Sequence, residues 1–166
     1  MATALLITRD DLVRFTAVNG NVDTDKFIQF VKIAQDIHIQ NYLGTKLLQK
    51  IQADIIAGTL SGNYETLVET YVKPMLIHWA MVEYLPFAAY TIANKGVYKH
   101  SSENSENVEK NEVDFLIEKE RQIAQHYTER FIDYIVFRND LFPEYNNNSN
   151  GDMYPDSSNN RISWYI

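Results

Sequence analysis

The sequence predicts an all-α fold: a compact bundle of about five helices with a long kinked central helix and an extended irregular C-terminal tail. Three observations predict it. Apolar residues recur at three- and four-residue spacing in several segments, Thr8, Gly44 and Gly58 stand where helices start or stop, and from Leu141 the chain turns to Asn, Ser, Asp and Pro. A chain of 166 residues, 45% of them apolar, can bury a core without staples, and with Cys 0 it has none. The expected organisation is a helical domain over residues 1–140 and a tail over residues 141–166.

The segment Met1–Ile7 has no basic cluster and too short an apolar run for a secretory signal. Thr8 reads as an N-cap with Asp11 at the third helical position and Ile7 and Leu12 as a hydrophobic staple, which predicts a short helix over about residues 9–17. The same grammar recurs at Asp23, with Val22 and Phe27 as the staple. Phe27, Val31, Ala34 and the Ile37/His38 pair then keep helical spacing as far as Gly44, a residue suited to the left-handed C-terminal position. Thr45 is expected to cap a third helix that carries Leu48, Ile51 and Ile55 on one face and stops at Gly58.

The longest apolar segment, Tyr64–Asn94, is apolar on nearly all sides from Met75 onward, which places it at the centre of the bundle. Pro74 and Pro86 each remove a helical hydrogen bond, freeing the carbonyls of Thr70 and Val82, so a kink or break is expected near each. Unbent, the segment would run ~46 Å, too long for a domain of this size. His78, Glu83, Pro86 and Thr91 interrupt it, so it reads as a core helix and no membrane partner is expected. Gly96 is expected to end it, and Lys99–Asn107 to form a polar loop. A last helix, capped by Ser102 or Ser105, should run to about Asn139 with Val113, Leu116, Ile123, Tyr127, Phe131, Tyr134 and Ile135 on its core stripe.

The tail after Leu141 carries Pro143 and Pro155, which exclude a continuous helix, and a composition that is not expected to build a core. It nevertheless ends in Arg161, Ile162, Ser163, Trp164, Tyr165 and Ile166. That β-prone aromatic run reads as an anchor peptide that needs a covering surface, either a partner molecule or a groove on its own helices. The length of polar chain before it favours the partner.

A formal charge of −7 argues against a general duplex-DNA or anionic-membrane binder, since affinity for either comes mainly from clustered Lys and Arg. Between Ser101 and Arg121 seven acids, Glu103, Glu106, Glu109, Glu112, Asp114, Glu118 and Glu120, stand against three bases. Such a run is either a solvated helix face or a surface turned toward a channel or a basic partner.

No enzyme chemistry is legible. The residues three before His38, His78, His100 and His126 are Gln35, Met75, Val97 and Ile123, so the Glu-x-x-His pattern of di-iron bundles is missing. Glu83 lies about 140° round a helix from His78, a poor shared ligand face. His78 reads as a hydrogen-bonded core histidine ahead of a catalytic base, and Glu83 as a paired or subunit-contact carboxylate ahead of a general acid. Ser61 lacks the nucleophile-elbow glycines, and neither a phosphate-binding loop nor a dinucleotide glycine pattern occurs. No catalytic residue, metal or cofactor is expected. A helix-turn-helix over Asp25–Ala57 would offer only Lys46 and Lys50 on its recognition helix, too little for DNA.

Leu6-Ile7-Thr8 followed by Asp11-Leu12, the helix with Ala34-Gln35-Asp36 ending in Tyr42-Leu43-Gly44-Thr45-Lys46-Leu47, the Ser102-Glu103-Asn104-Ser105 loop and Leu141-Phe142-Pro143-Glu144-Tyr145 together resemble the head-to-tail connector proteins of tailed bacteriophages. The likeness is to the ring or adaptor version in phages of Bacteroides-type hosts, including crAss-like phages, and covers most of residues 5–145. It implies an all-helical virion protein at the head-tail junction, assembled in the host cytoplasm as a homo-oligomeric ring, usually twelvefold. Such a ring bridges the portal protein to further tail or ring proteins, while genomic DNA passes through without specific binding. The competing reading is a free-standing helical interaction or regulatory module.

Overall fold

The computed structural model describes residues 3–18, 24–88, 90–93, 96–99, 110–147 and 151–158. The all-α fold is as expected, with one short hairpin added. Helix α1 (Arg9–Phe15) opens with a complete capping box, in which the Thr8 hydroxyl accepts from the Asp11 N–H and the Asp11 carboxylate accepts from the Thr8 N–H at 2.8 Å. Ile7 and Leu12 are both buried, as a staple requires.

The second helix is composite. It runs as α2 (Thr24–Ala34), a π-helical stretch Gln35–Ile39 and α3 (Gln40–Leu43). The cap expected at Asp23 lies outside the described residues. Phe27, Val31 and Ala34 are buried on one face as their spacing requires. Gln35, at the start of the π stretch, is fully buried with both ends of its amide satisfied: Oε1 accepts from the Leu6 N–H at 3.0 Å and Nε2 donates to the Ala4 carbonyl at 2.9 Å. The N-terminal segment is thereby pinned across the bundle before α1 begins.

Helix α4 (Thr45–Ala57) starts one residue earlier than expected. Gly44 is its N-cap and Thr45 its first helical residue, with no side-chain cap. Gly44 has φ 76° and ψ 156°, a positive φ with an extended ψ, not the left-handed helical basin. Its hydrogen faces Pro155, and a Cβ there would lie 2.9 Å from the proline Cδ and Cγ. Gly58 does take the left-handed conformation, and its N–H and that of Thr59 return to the carbonyls of Ile55 and Asp54 in a Schellman motif.

The central helix is also composite: α5 (Gly62–Leu67), a π-helical stretch Val68–Val72, α6 (Lys73–Tyr84) and a 3₁₀ turn Leu85–Phe87. Both proline effects occur. The π stretch closes just before Pro74, where the Lys73 N–H bonds five residues back to Val68, and α6 stops one residue before the turn that holds Pro86. The helix does not reach Asn94. Tyr90–Ala93 is instead strand β1, paired antiparallel with β2 (Gly96–Lys99), so Gly96 opens a strand and does not end a helix. β-branched and aromatic residues beyond Pro86 favour extended chain once the proline has closed the helix.

Helix α7 (Lys110–Phe137) lies along α6, and α2 packs on α6 as well. Its core stripe differs from the expected one: Phe131 and Ile135 are buried as predicted, Ala124, Thr128 and Ile132 join them, and Leu116 is exposed. Phe115 lies about 180° round α7 from the buried Ala124 and so turns away from the core, with Leu116 off the stripe beside it, while Ile117 packs inward.

The tail departs most from expectation. A 3₁₀ turn Asn139–Leu141 and helix α8 (Pro143–Asn146) carry Phe142, 0% exposed, and Tyr145 into the same core cluster as α4 and α6. The boundary expected after residue 140 therefore falls inside the packed unit. Phe142 sits edge-on to Tyr64 at 5.4 Å, and the Tyr64 hydroxyl donates to Glu144 at 2.6 Å. Residues 151–158 are no slack leash either. They form a strap across the α3–α4 corner: Thr45 N–H donates to the Met153 carbonyl at 3.1 Å, Met153 N–H to the Thr45 hydroxyl at 3.2 Å, and Asp156 N–H to the Asn41 carbonyl at 2.8 Å.

Gly44→Ala is expected to cost about 1–3 kcal/mol, since a side chain there meets both a glycine-only backbone conformation and Pro155. Gly58→Ala, with open space around its Cβ, should cost about 1 kcal/mol. Urea midpoints of the two variants check the order, and faster exchange of the Thr45 amide in Gly44→Ala checks that the strap has lifted.

Candidate functional site

Two histidine–carboxylate pairs flank α6. His38, in the π stretch of the second helix, meets Glu83 at 2.9 Å and stacks on Trp79 at 3.9 Å between ring centres. His78, on α6, meets Glu120 of α7 at 2.7 Å and stacks on Tyr127. His78 is thus hydrogen-bonded and Glu83 a paired carboxylate. The identity of each partner is not legible in the sequence, because each pair joins residues more than forty positions apart. Among the described residues no group of His, Asp and Glu is arranged to hold a metal ion, and no helix is long and apolar enough to cross a membrane.

Trp79 links these pairs to the core. Its Nε1–H donates to the Thr128 hydroxyl at 3.0 Å, which in turn donates to the Ala124 carbonyl at 2.8 Å, so this buried polar chain is fully paired. Beside it lies a polar cleft of about 280 Å³ walled by Tyr42, Trp79, Gln125, Glu129 and, from the strap, Asp156 and Ser158. The Ser158 hydroxyl and N–H bond to Asp156 and hold its carboxyl below the usual range. Burial first, and the Asp156 charge second, push the Tyr42 and Tyr145 hydroxyls up. The strap therefore ends at this cleft with its carboxylate seated near two tyrosines.

The acidic run is not one uniform face. Glu103, Glu106 and Glu109 lie outside the described residues. Glu112 and Asp114 are exposed on the first turns of α7, and Glu118 is exposed while bonding Arg121 at 3.3 Å. Glu120 points inward to His78 and is removed from any outward acidic surface. The anchor residues Arg161, Ile162, Trp164, Tyr165 and Ile166 lie outside the described residues, so the strap accounts only for the chain leading to them. Lys50, one of two bases on the would-be recognition helix, is held by Asp54 at 2.6 Å, which leaves that helix still less suited to grip DNA.

Large apolar side chains stay at the surface on several elements, among them Phe15 at the end of α1, Ile33 and Ile37 one turn apart on the second helix, Ile56 on α4, and Phe115 and Leu116 near the start and Phe137 at the end of α7. Sequence periodicity misses Phe115 because the residue stands off the core stripe. The signal available is a large aromatic among charged neighbours at a position periodicity turns outward.

With its composite helices around one apolar axis and one short hairpin, the chain has an all-α fold. It belongs to DUF6712, a family of unknown function, whose model matches residues 39–154. That span runs from the end of the π stretch of the second helix into the strap. No curated protein sequence and no solved structure matches the chain.

Thr128→Val is expected to cost about 1–3 kcal/mol by leaving the Trp79 N–H unpaired in the core, whereas Thr128→Ser keeps both bonds and should cost far less. Chemical denaturation of the pair checks this. The lowered Asp156 carboxyl contributes stability above its unfolded value that is lost as pH falls through the folded one, below about pH 4. Asp156→Asn should flatten that part of the stability curve.

Proposed function

We propose that this chain is a structural head-to-tail connector of a tailed-phage virion. It assembles as a ring, twelvefold as the resemblance implies, that docks on the portal and joins it to the tail around the DNA channel. The observation that carries the reading is that exposed apolar side chains come as adjacent pairs on two different helices of a single acidic body, Ile33 with Ile37 on the second helix and Phe115 with Leu116 on α7. A closed ring needs two different surfaces on each subunit, one for each neighbour, and these two pairs are suited to that.

Two further features fit. A formal charge of −7 repels a polyanion, so DNA can move past the ring without counterion-release binding. The strap holds the chain at the α3–α4 corner through Met153 and Asp156, and the sequence Trp164-Tyr165-Ile166 beyond it is suited to seat on the portal or an adjoining ring. A ring multiplies such weak single contacts into strong attachment.

Mass spectrometry and electron cryomicroscopy of particles made from the genome that encodes the chain test the reading. The expected result is the chain in the neck, next to the portal, and loss of docking when residues 161–166 are deleted. Absence of the chain from particles would leave the free-standing interaction module as the explanation of its surfaces. Wild-type incorporation of the truncated chain would reject the tail as an anchor.

A further inference from the structure

One groove on this acidic protein is rimmed by cations. About 250 Å³ in volume, it lies between α1, α6 and α7, with Phe15, Pro74, Ile77 and Tyr127 forming an apolar floor and Lys73 and Arg130 at its edge. Glu69 and His78 complete the lining. Lys73 bonds Glu69 at 2.7 Å and approaches Asp11 at 3.9 Å, Arg130 lies over the Tyr71 ring at 4.9 Å, and His78 is held by Glu120. Phe15 is 58% exposed at its mouth, beside the exposed Arg14.

The first turns of α7 offer the complement. Phe115, 69% exposed, projects with Leu116 beside it, and Glu112 and Glu118 stand three residues before and after it on the same face. The Glu118 side chain is more than half exposed while it contacts Arg121. An aromatic flanked by carboxylates matches an apolar groove with Arg130 at its edge in shape class and charge, whereas Lys73 there is already paired with Glu69. The two features cannot meet within one molecule. Both sit on the continuous helix α7, where Phe115 and Tyr127 are roughly 18 Å apart along the axis.

We propose that the groove receives the Phe115 ridge of a second copy of this chain, with Arg130 facing Glu118. The contact joins two different patches, so it repeats from copy to copy and closes into a ring or extends as a filament. It deepens the connector reading by naming how one copy meets the next, and it rests on that reading for the ring alone.

The absence of native cysteine makes the test direct. Full-length chains carrying Asn111→Cys, one turn before Phe115, are mixed with chains carrying Ala17→Cys, beside Phe15, and treated with a short bis-maleimide. Chains carrying Ile56→Cys, on α4 and outside the groove, are the control. The expected result is a covalent dimer from the first mixture and little from Asn111→Cys with Ile56→Cys. Adding Phe115→Ser to the Asn111→Cys chain should lower the yield about tenfold, with helix content unchanged because Phe115 is exposed. Arg130→Glu in the Ala17→Cys chain should lower it severalfold, and Glu118→Lys in the opposite chain should restore it. Equal yields with Ala17→Cys and Ile56→Cys, an unchanged yield with Phe115→Ser, or preferential coupling of Asn111→Cys chains to one another would overturn the proposal. If the chain is found in particle necks but the dimer is not trapped, the contact fails and the connector reading stands. If the dimer is trapped but the chain is absent from particles, the contact stands and the connector reading fails.

Discussion

Helix α6 has no polar face to give to water. Met75, Leu76, Ile77, Trp79, Ala80, Met81 and Val82 are all buried along it, so it exists only if other elements enclose most of its surface. The rest of the fold meets that demand: α2 and the π stretch on one flank, α7 on another, α1 near its start. Burying an apolar side chain contributes on the order of 1.5–3 kcal/mol before entropy is counted, and α6 is where this gain is concentrated. Polar groups that come along must find partners inside the enclosure, which is why Trp79, Thr128 and the two histidines are each bonded to something.

The enclosing helices cannot all be regular. Pro74 lies in the middle of the central helix, and the chain absorbs it by widening one turn before it, so the hydrogen-bond ladder changes register there. A second widened stretch, at Gln35–Ile39, carries His38 and Gln35 into contact with α6 and the N-terminal segment. Irregularity of this kind gives the surface its form. On the first turns of α7, Phe115 sits on the face opposite the buried Ala124 and stays uncovered.

Much of this is legible from local signals. Thr8 with Asp11, Gly58, and the two prolines each act through their own neighbours, so the sequence shows them directly. What is not legible depends on distant residues. Thr45 looks like a cap, but its hydroxyl is occupied by Met153, 108 positions away. Gly44 looks like a left-handed helix end, yet its backbone is set by Pro155 on the strap. Phe142 and Tyr145 sit in a stretch whose composition suggests solvated chain, and two well-placed aromatics suffice to draw it into the core. Composition averages over a window, whereas burial is decided one side chain at a time. For the same reason the acidic run looks like a single surface in the sequence, although Glu120 turns inward to bond His78.

A protein of charge −7 must overcome its own repulsion to meet another copy. Salt limits that repulsion to about 8–10 Å, so what matters is the charge immediately around each contact. In the proposed contact, Arg130 at the groove edge would turn the general penalty into a local preference for the acidic ridge on α7. Rim charges of this kind add little affinity, but they choose the partner and the register. Affinity in such a contact would come from the aromatic ridge and from the number of copies engaged at once, so a template that holds many copies together would set the strength of assembly.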